Sequence, residues 1–325
     1  MKEFRTEIIP TVSSSPVCLK DKIFTIGSCF SDEIGRLLTE NKFTVSQNPF
    51  GIVYNPVSIH QLLFYSLHKI FPAKDSYSQN GDVHFNYNFH SSFSSLDLND
   101  LQTKIKNSIT ESNLFLGSTN RLIITYGTAF VYSLRSKDVV VANCHKMPPE
   151  SFYKQLLTEE EILKSFRYFY SQLKEKIPSV KIILTVSPVR HLKDTLELNT
   201  VSKSMLRLSC HSIVNQFSDV EYFPAYEILL DDLRDYRFYK TDRLHPTEEA
   251  VDYIWQKFAD AYFDEPAKRF LVEWQKIKND LTHRAFHPRS EQHQKFLKNV
   301  LSRLEKLDSS IDVTDEIRKL RNEIL

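Results

Sequence analysis

An α/β fold assembled from parallel βαβ units is what this sequence predicts, and three observations carry that expectation. Short apolar runs alternate with amphipathic segments long enough for helices, the pattern of strands joined by crossover helices. The run "KIFTI" passes directly into a helix-like segment through Gly27, Ser28 and Cys29, a tight strand-to-helix corner. Glycine is scarce, 6 residues in 325, so several are expected where a Cβ would not fit.

Taken in order, the predicted strands lie at 23–26, 44–46, 122–126, 181–186 and 221–223, and the predicted helices at 31–40, 56–69, 159–176, 193–216 and 247–262. The first helix has Ser31 as its N-cap, Asp32 and Glu33 in its first turn, and Ile34, Leu37 and Leu38 on one face. The rhythm breaks at about 75–120, a polar, aromatic stretch expected to be an insertion with a small hairpin, and "FVYSLRSKDVVVANCHKMPP" reads as another hairpin. In the last predicted helix Val251, Ile254, Trp255 and Phe258 share one face. Beyond 265 the chain turns charged and helical, with Leu297, Val300, Leu304, Leu307 and Ile311 stepping by three and four. Residues 1–265 are thus expected to form the α/β domain and 266–325 a helical extension, packed on the body or joining a homodimer.

Hydrophobic residues at 41% are ample for a core, and a net charge of +1 gives no electrostatic reason to expect nucleic acid or an anionic membrane as partner. The first fifteen residues lack an apolar h-region, no run approaches membrane-spanning length, and the four cysteines show no CxxC spacing. A cytoplasmic protein with reduced thiols is the expectation. His84, His90, Cys144 and His145 fit no standard zinc spacing, and no metal or organic cofactor is expected.

Two stretches carry chemistry. A strand-to-helix corner displays the Ser28 hydroxyl at the carboxyl end of a strand, where open α/β sheets bind ligands, and aims helix N–H groups at developing negative charge. Serine needs a base to become a nucleophile. "DRLHPTEEAVDYIW" offers one: Asp242 stands three residues before His245, in the loop leading into a well-formed helix. The carboxylate can engage Nδ1 and leave Nε2 to take a proton. Cys29 is a rival nucleophile at the same corner, better read as packing. The G-x-S-x-G elbow of lipase-type hydrolases is absent.

Together, "IGSCFSDEIGRLL", "NPFGIVYNPVSI", "YGTAFVY", "VANCHKMP", "TVSPVRH" and "DRLHPTEEAVDYIW" resemble the GSCFA family, grouped with the SGNH or GDSL-like hydrolases. The motifs run from about residue 23 to 258. The resemblance implies a three-layer, doubly wound α/β/α sandwich with a five-stranded parallel sheet. It implies Ser28 as nucleophile, His245 as base, Asp242 as its orienting acid, and backbone oxyanion donors at Ser28 and Gly51. Two departures stand out: Gly27 replaces the usual aspartate before the serine, and "YGTAF" has Thr128 and Ala129 where an asparagine is expected. Thr128 is then the nearest oxyanion donor after Gly127, with Asn48 and Asn143 as candidates to fill the gap. His90, Arg190 and His191 are placed in loops that overhang the strand ends, as candidate substrate contacts. The expected activity is that of a serine-dependent esterase or acyltransferase acting on a small or carbohydrate-linked acyl ester. The alternative is a non-catalytic binding or scaffold protein that keeps the fold.

Overall fold

The computed structural model describes residues 6–193, 195–307 and 311–325. Its centre is a five-stranded, all-parallel sheet. β1 (Lys22–Gly27) leads through α1 (Cys29–Glu40) to β2 (Thr44–Gln47). A long crossover follows: α2 (Pro56–His68), a small antiparallel sheet of β3 (Tyr77–Asn80), β4 (Val83–Asn86) and β5 (Ser94–Ser95), then α3 (Leu98–Leu116). β6 (Arg121–Tyr126) returns to the main sheet. After it come a second small sheet, β7 (Phe130–Leu134), β8 (Val139–Val141) and β9 (Phe152–Leu156), and α4 (Glu159–Lys176). β10 (Lys181–Val186), α5 (Leu196–Gln216) and β11 (Val220–Phe223) complete the sheet. A short α6 (Ala225–Glu227) runs into a π turn, Ile228–Leu233, and α7 (Glu248–Tyr262) closes the body.

The strand order is β11–β10–β6–β1–β2. The chain moves outward from β1 to β2, then jumps back across β1 to β6, so the winding reverses between β1 and β6. Ligands of open α/β sheets bind at the carboxyl end of such a switch point, and here that end holds Ser28 after β1 and Gly127 after β6.

The period-two alternation of the strands sorts the two faces. Phe24, Ile26, Leu122, Ile124, Tyr126, Ile182, Leu184 and Val186 are buried under α2, α3, α4 and α5. Ile23, Ile123, Ile183 and Phe223 face α1 and α7. Strands covered on both sides read as unbroken apolar runs, as "RLIITY" does. Local signals set the helix starts. Asn55 accepts the Ser58 N–H ahead of Pro56, Thr158 and Glu161 form a capping box, and Thr247 accepts the Ala250 N–H.

Three expectations need correction. The first helix begins at Cys29 with Ser28 in the N-cap position, because Gly27 already turns the chain. The stretch 75–120 divides: 77–95 forms the small sheet, but α3 packs on the main sheet through Leu101, Ile105, Ile109 and Leu116. Its apolar stripe is interrupted by Asn, Ser and Thr, which hides the helical period. The helix predicted from 193 starts at Leu196, capped by Thr195, and Asp194 lies outside the described residues, as do 1–5 and 308–310.

Beyond the body, α8 (Glu265–Thr282), α9 (Glu291–Glu305) and α10 (Thr314–Glu323) share a core of Phe270, Trp274, Ile277, Leu297, Val300, Leu304 and Leu320. They dock on the C-terminal end of α1. Trp274 Nε1 donates to the Glu40 carbonyl (2.8 Å), Lys278 Nζ to Asn41 Oδ1 (3.1 Å), and Lys42 pairs with Glu316 (2.7 Å). No described helix is long and apolar enough to cross a membrane.

The corner itself depends on Gly27. Its φ is +146°, and a Cβ there would lie 2.1 Å from the Thr125 carbonyl oxygen. Gly27→Ala is therefore expected to cost at least ~3 kcal/mol and to lower the melting temperature by roughly 6 °C or more. Gly81→Ala, also at positive φ but with open space around it, should cost only about 1 kcal/mol. Calorimetry on the two variants checks the contrast.

Candidate active site

A serine in the N-cap position normally turns its hydroxyl onto the helix's first N–H groups, a contact worth ~1 kcal/mol. Ser28 does not. It is fully buried, makes no side-chain cap, and its Oγ has no hydrogen-bond partner. The hydroxyls of Thr25, Ser31, Thr125 and Thr185 are also buried without partners, on the sheet face that carries α1. What sets Ser28 apart from these hydroxyls is its place: the N-cap position, at the switch point of the sheet, with no cap formed.

Asn48 staples the corner. It sits at φ +35°, a conformation asparagine tolerates. Its Oδ1 accepts the Gly27 N–H (2.8 Å), its Nδ2 donates to Asp32 Oδ1 (2.6 Å), and its backbone N–H donates to the Thr25 carbonyl (3.0 Å). With both ends of the amide used and 7% exposure, Asn48 holds the corner together in this arrangement and has no amide proton turned to the place of the missing asparagine.

The expected oxyanion donors are occupied as well. Ser28 N–H donates to the Thr125 carbonyl (3.1 Å), continuing the β1–β6 ladder, and Gly51 N–H donates to the Asn48 carbonyl (2.8 Å). Gly127 and Thr128 N–H groups converge on one oxygen, the Tyr54 carbonyl, at 2.8 and 3.2 Å. Thr128 Oγ1 pairs with Ser202 Oγ (3.0 Å). None of the three donors is free in this arrangement: β6 takes the Ser28 amide, and the 48–54 loop takes those of Gly51 and Thr128.

Asp242 and His245 do meet. His245 Nδ1 lies 2.7 Å from Asp242 Oδ2, while Asp242 Oδ1 accepts the N–H groups of Leu244 (2.8 Å) and His245 (3.1 Å). The Leu244 amide first, then the imidazole and the His245 amide, hold the Asp242 carboxyl well below the usual carboxylate range. An ionised carboxylate accepts only, so Nδ1 carries the proton, and in the neutral ring the lone pair is then on Nε2. Nε2 makes no hydrogen bond among the described residues. The expected bond from Ser28 to His245 is accordingly not formed. The two groups lie at the same end of the sheet: the Leu244 carbonyl accepts the Arg190 N–H (3.2 Å) just beyond β10, two strands from β1.

The remaining candidates divide. His191 stacks edge-on against Tyr54 at 5.1 Å, and its N–H is held by Asn199 Oδ1 (2.9 Å). Tyr54 in turn lies 3.7 Å from Cys29 Sγ, and a Cβ on Gly127 would meet both Tyr54 and Ser28 at 3.0–3.2 Å. Tyr54, which sequence reasoning passed over, therefore packs on Gly127 beside the Ser28 corner. His90 rests against Gly51, which admits no Cβ because it would come within 2.8 Å of the ring. Burial lowers the His90 pKa, opposed by Asp32. Arg190 stacks on Tyr239 at 3.9 Å, bracing the His245 loop and lining a cavity of about 330 Å³ with Asp231 and Tyr236. Asn143 uses Oδ1 to cap the His145 N–H (2.8 Å) and does not supply a donor to the corner. Burial raises the Cys29 thiol, the opposite of what a thiolate nucleophile requires.

Helix α5 contributes residues that motif reading missed. Asn199, Ser202 and Lys203 are buried one turn apart on the face continued by Leu206, Cys210 and Ile213, so polar side chains occupy core positions. That break in an apolar stripe is the signal that could have found them. Ser202 Oγ accepts the Ala129 N–H (2.8 Å). Lys203 Nζ donates to the Gly127 and Ser187 carbonyls, 2.7 Å each. Burial pulls its pKa down to about 7, with Cys29 opposing the shift.

The family model described as "GSCFA family" matches residues 22–258. The chain belongs to the GSCFA family. A second model, "GSCFA domain protein, C-terminal domain", matches residues 274–325, the segment of the docked helices. Among solved structures, the chain is similar to a family 3 carbohydrate esterase from Clostridium thermocellum at 13% identity, over 74% of this chain and 94% of that one, with a TM-score of 0.33. It is also similar to a carbohydrate esterase family 3 from Talaromyces cellulolyticus at 8% identity, over 78% and 99%, with a TM-score of 0.35. No curated protein matches the chain.

Two outcomes follow from the geometry of this GSCFA protein. Asn48→Ala strips a buried N–H of its acceptor and should destabilise by about 2–4 kcal/mol in urea unfolding. For Lys203 the folded pKa of about 7 lies below the ordinary 10.5, so between those values the unfolded chain binds more protons and stability rises with pH. Wild type should gain on Lys203→Met across that window, by at most ~1.4 kcal/mol per pH unit, measured by denaturation at pH 7, 8 and 9.

Proposed function

We propose that this GSCFA protein is a serine-dependent esterase or acyltransferase acting on a small or carbohydrate-linked acyl ester. The observation that carries the proposal is the withheld Ser28 hydroxyl, buried and uncapped at the topological switch point. The Asp242–His245 pair at the same end of the sheet, with its Nε2 lone pair uncommitted, supplies the base such a hydroxyl requires.

In this mechanism Ser28 Oγ attacks the acyl carbon as His245 Nε2 takes its proton, and Asp242 stabilises the imidazolium. The proton then passes to the departing alkoxide, leaving an acyl-serine. Water or a sugar hydroxyl, deprotonated by the same imidazole, resolves it. Tyr54 must withdraw to admit substrate. That motion also strips its carbonyl from the Gly127 and Thr128 N–H groups, which then converge on the position an oxyanion would take. No step calls on a cofactor, and a cytoplasmic setting is part of the proposal.

One observation favours a second reading, a non-catalytic binding protein: the corner is closed, with its backbone donors engaged and Ser28 unexposed. Labelling with a fluorophosphonate separates the two. Wild type should be modified at Ser28, located by mass spectrometry, and Ser28→Ala should not. His245→Ala should slow labelling by about 10²–10⁴-fold, and Asp242→Asn by a comparable factor. A folded wild type that resists the reagent at all concentrations would favour the binding protein.

A further inference from the structure

Lys203 is the least expected residue in the molecule. Its side chain is 1% exposed, and no carboxylate among the described residues reaches its ammonium. A methionine would fill such a helix face without desolvating a charge. The ammonium instead donates to two main-chain carbonyls, Gly127 just after β6 and Ser187 just after β10. Those carbonyls end adjacent strands, paired from Lys181–Arg121 to Val186–Tyr126, and the strand ladder no longer holds them. Gly127 is also the residue packed on the Ser28 side chain, leaving no room for a Cβ between them. The titratable groups facing the ammonium are Cys29 on α1 and the Tyr226 ring, 5.9 Å away on α6.

We propose that Lys203 is a positioning residue: it ties the ends of β6 and β10 together and so holds the Gly127–Thr128 backbone at a set height beside Ser28. Its effect on reactivity rests on Ser28 being the nucleophile; its effect on the backbone does not. Ser202, one residue earlier, grips the same loop at Ala129 and Thr128. Adjacent residues of α5 thus hold the loop from both its carbonyl and its amide side.

Hydrogen–deuterium exchange on the full chain tests the tie directly. In Lys203→Met, amides in peptides spanning 126–130 and 187–190 should exchange at least tenfold faster than in wild type, while 182–184 in the strand interior stay protected. Fluorophosphonate labelling of Ser28 should slow tenfold or more, with the melting temperature at pH 7 unchanged or raised. A residue that serves only to pack would leave local exchange at 126–130 unchanged, whatever its effect on the melting temperature. If Lys203→Met does not fold, Lys203→Gln carries both readouts. Unchanged exchange at 126–130 overturns the proposal. If wild type is not labelled at all, the nucleophile assignment falls and the exchange result still decides the clamp.

Discussion

The close approach of Gly27 to the Thr125 carbonyl governs this structure. Two adjacent parallel strands end together there, and the chain must leave β1 at once to begin α1. Only a residue without a side chain can make that turn at φ +146°. Once it is made, Ser28 falls in the N-cap position, Asn48 can receive the Gly27 N–H, and the 48–54 loop can lie across the strand ends. An aspartate before the serine has no place here, since any Cβ would strike the neighbouring backbone.

That packing has a consequence for reactivity. The loop beside the corner uses the Gly51, Gly127 and Thr128 amides, while the Ser28 amide is used by β6. The contacts are individually modest: single backbone hydrogen bonds, a 3.7 Å contact between a phenol and a thiol, and an edge-on histidine. Each contributes on the order of 1 kcal/mol, so exposing Ser28 needs a local rearrangement and not unfolding of the sheet. The Asp242–His245 pair is held independently, by an Asx-type turn with Arg243 at φ +62° and by the Arg190–Tyr239 stack. His245 and Ser28 therefore belong to separately supported units that share one end of the sheet.

The C-terminal helices stand at the other end of α1. Their own core is apolar, and they reach the body through apolar packing of Ala267 and Leu271 and directed contacts to Glu40, Asn41 and Lys42. These residues terminate the helix whose first turn carries Ser28, so the extension steadies α1 from its far end.

The sequence by itself determined the parallel α/β plan, because strand and helix periods are written in local apolar spacing. It also determined the Asp242–His245 contact, because a three-residue loop brings those groups within reach whatever surrounds them. It pointed to Ser28, since a serine after a glycine at a strand end is a local feature. What only the tertiary structure decided involves residues far apart in the chain. Asn48 is spent on Gly27, Tyr54 packs on Gly127, Asn143 turns to His145, and the amides of Ser28, Gly51 and Thr128 are engaged. The stripe of α3 was blurred by polar substitutions, and Lys203 looked like one more lysine on a charged helix. Its two carbonyl partners lie 76 and 16 residues away. Spacing along a chain reports which groups are neighbours on one element, but the partners of a buried polar group are set by how elements pack against each other.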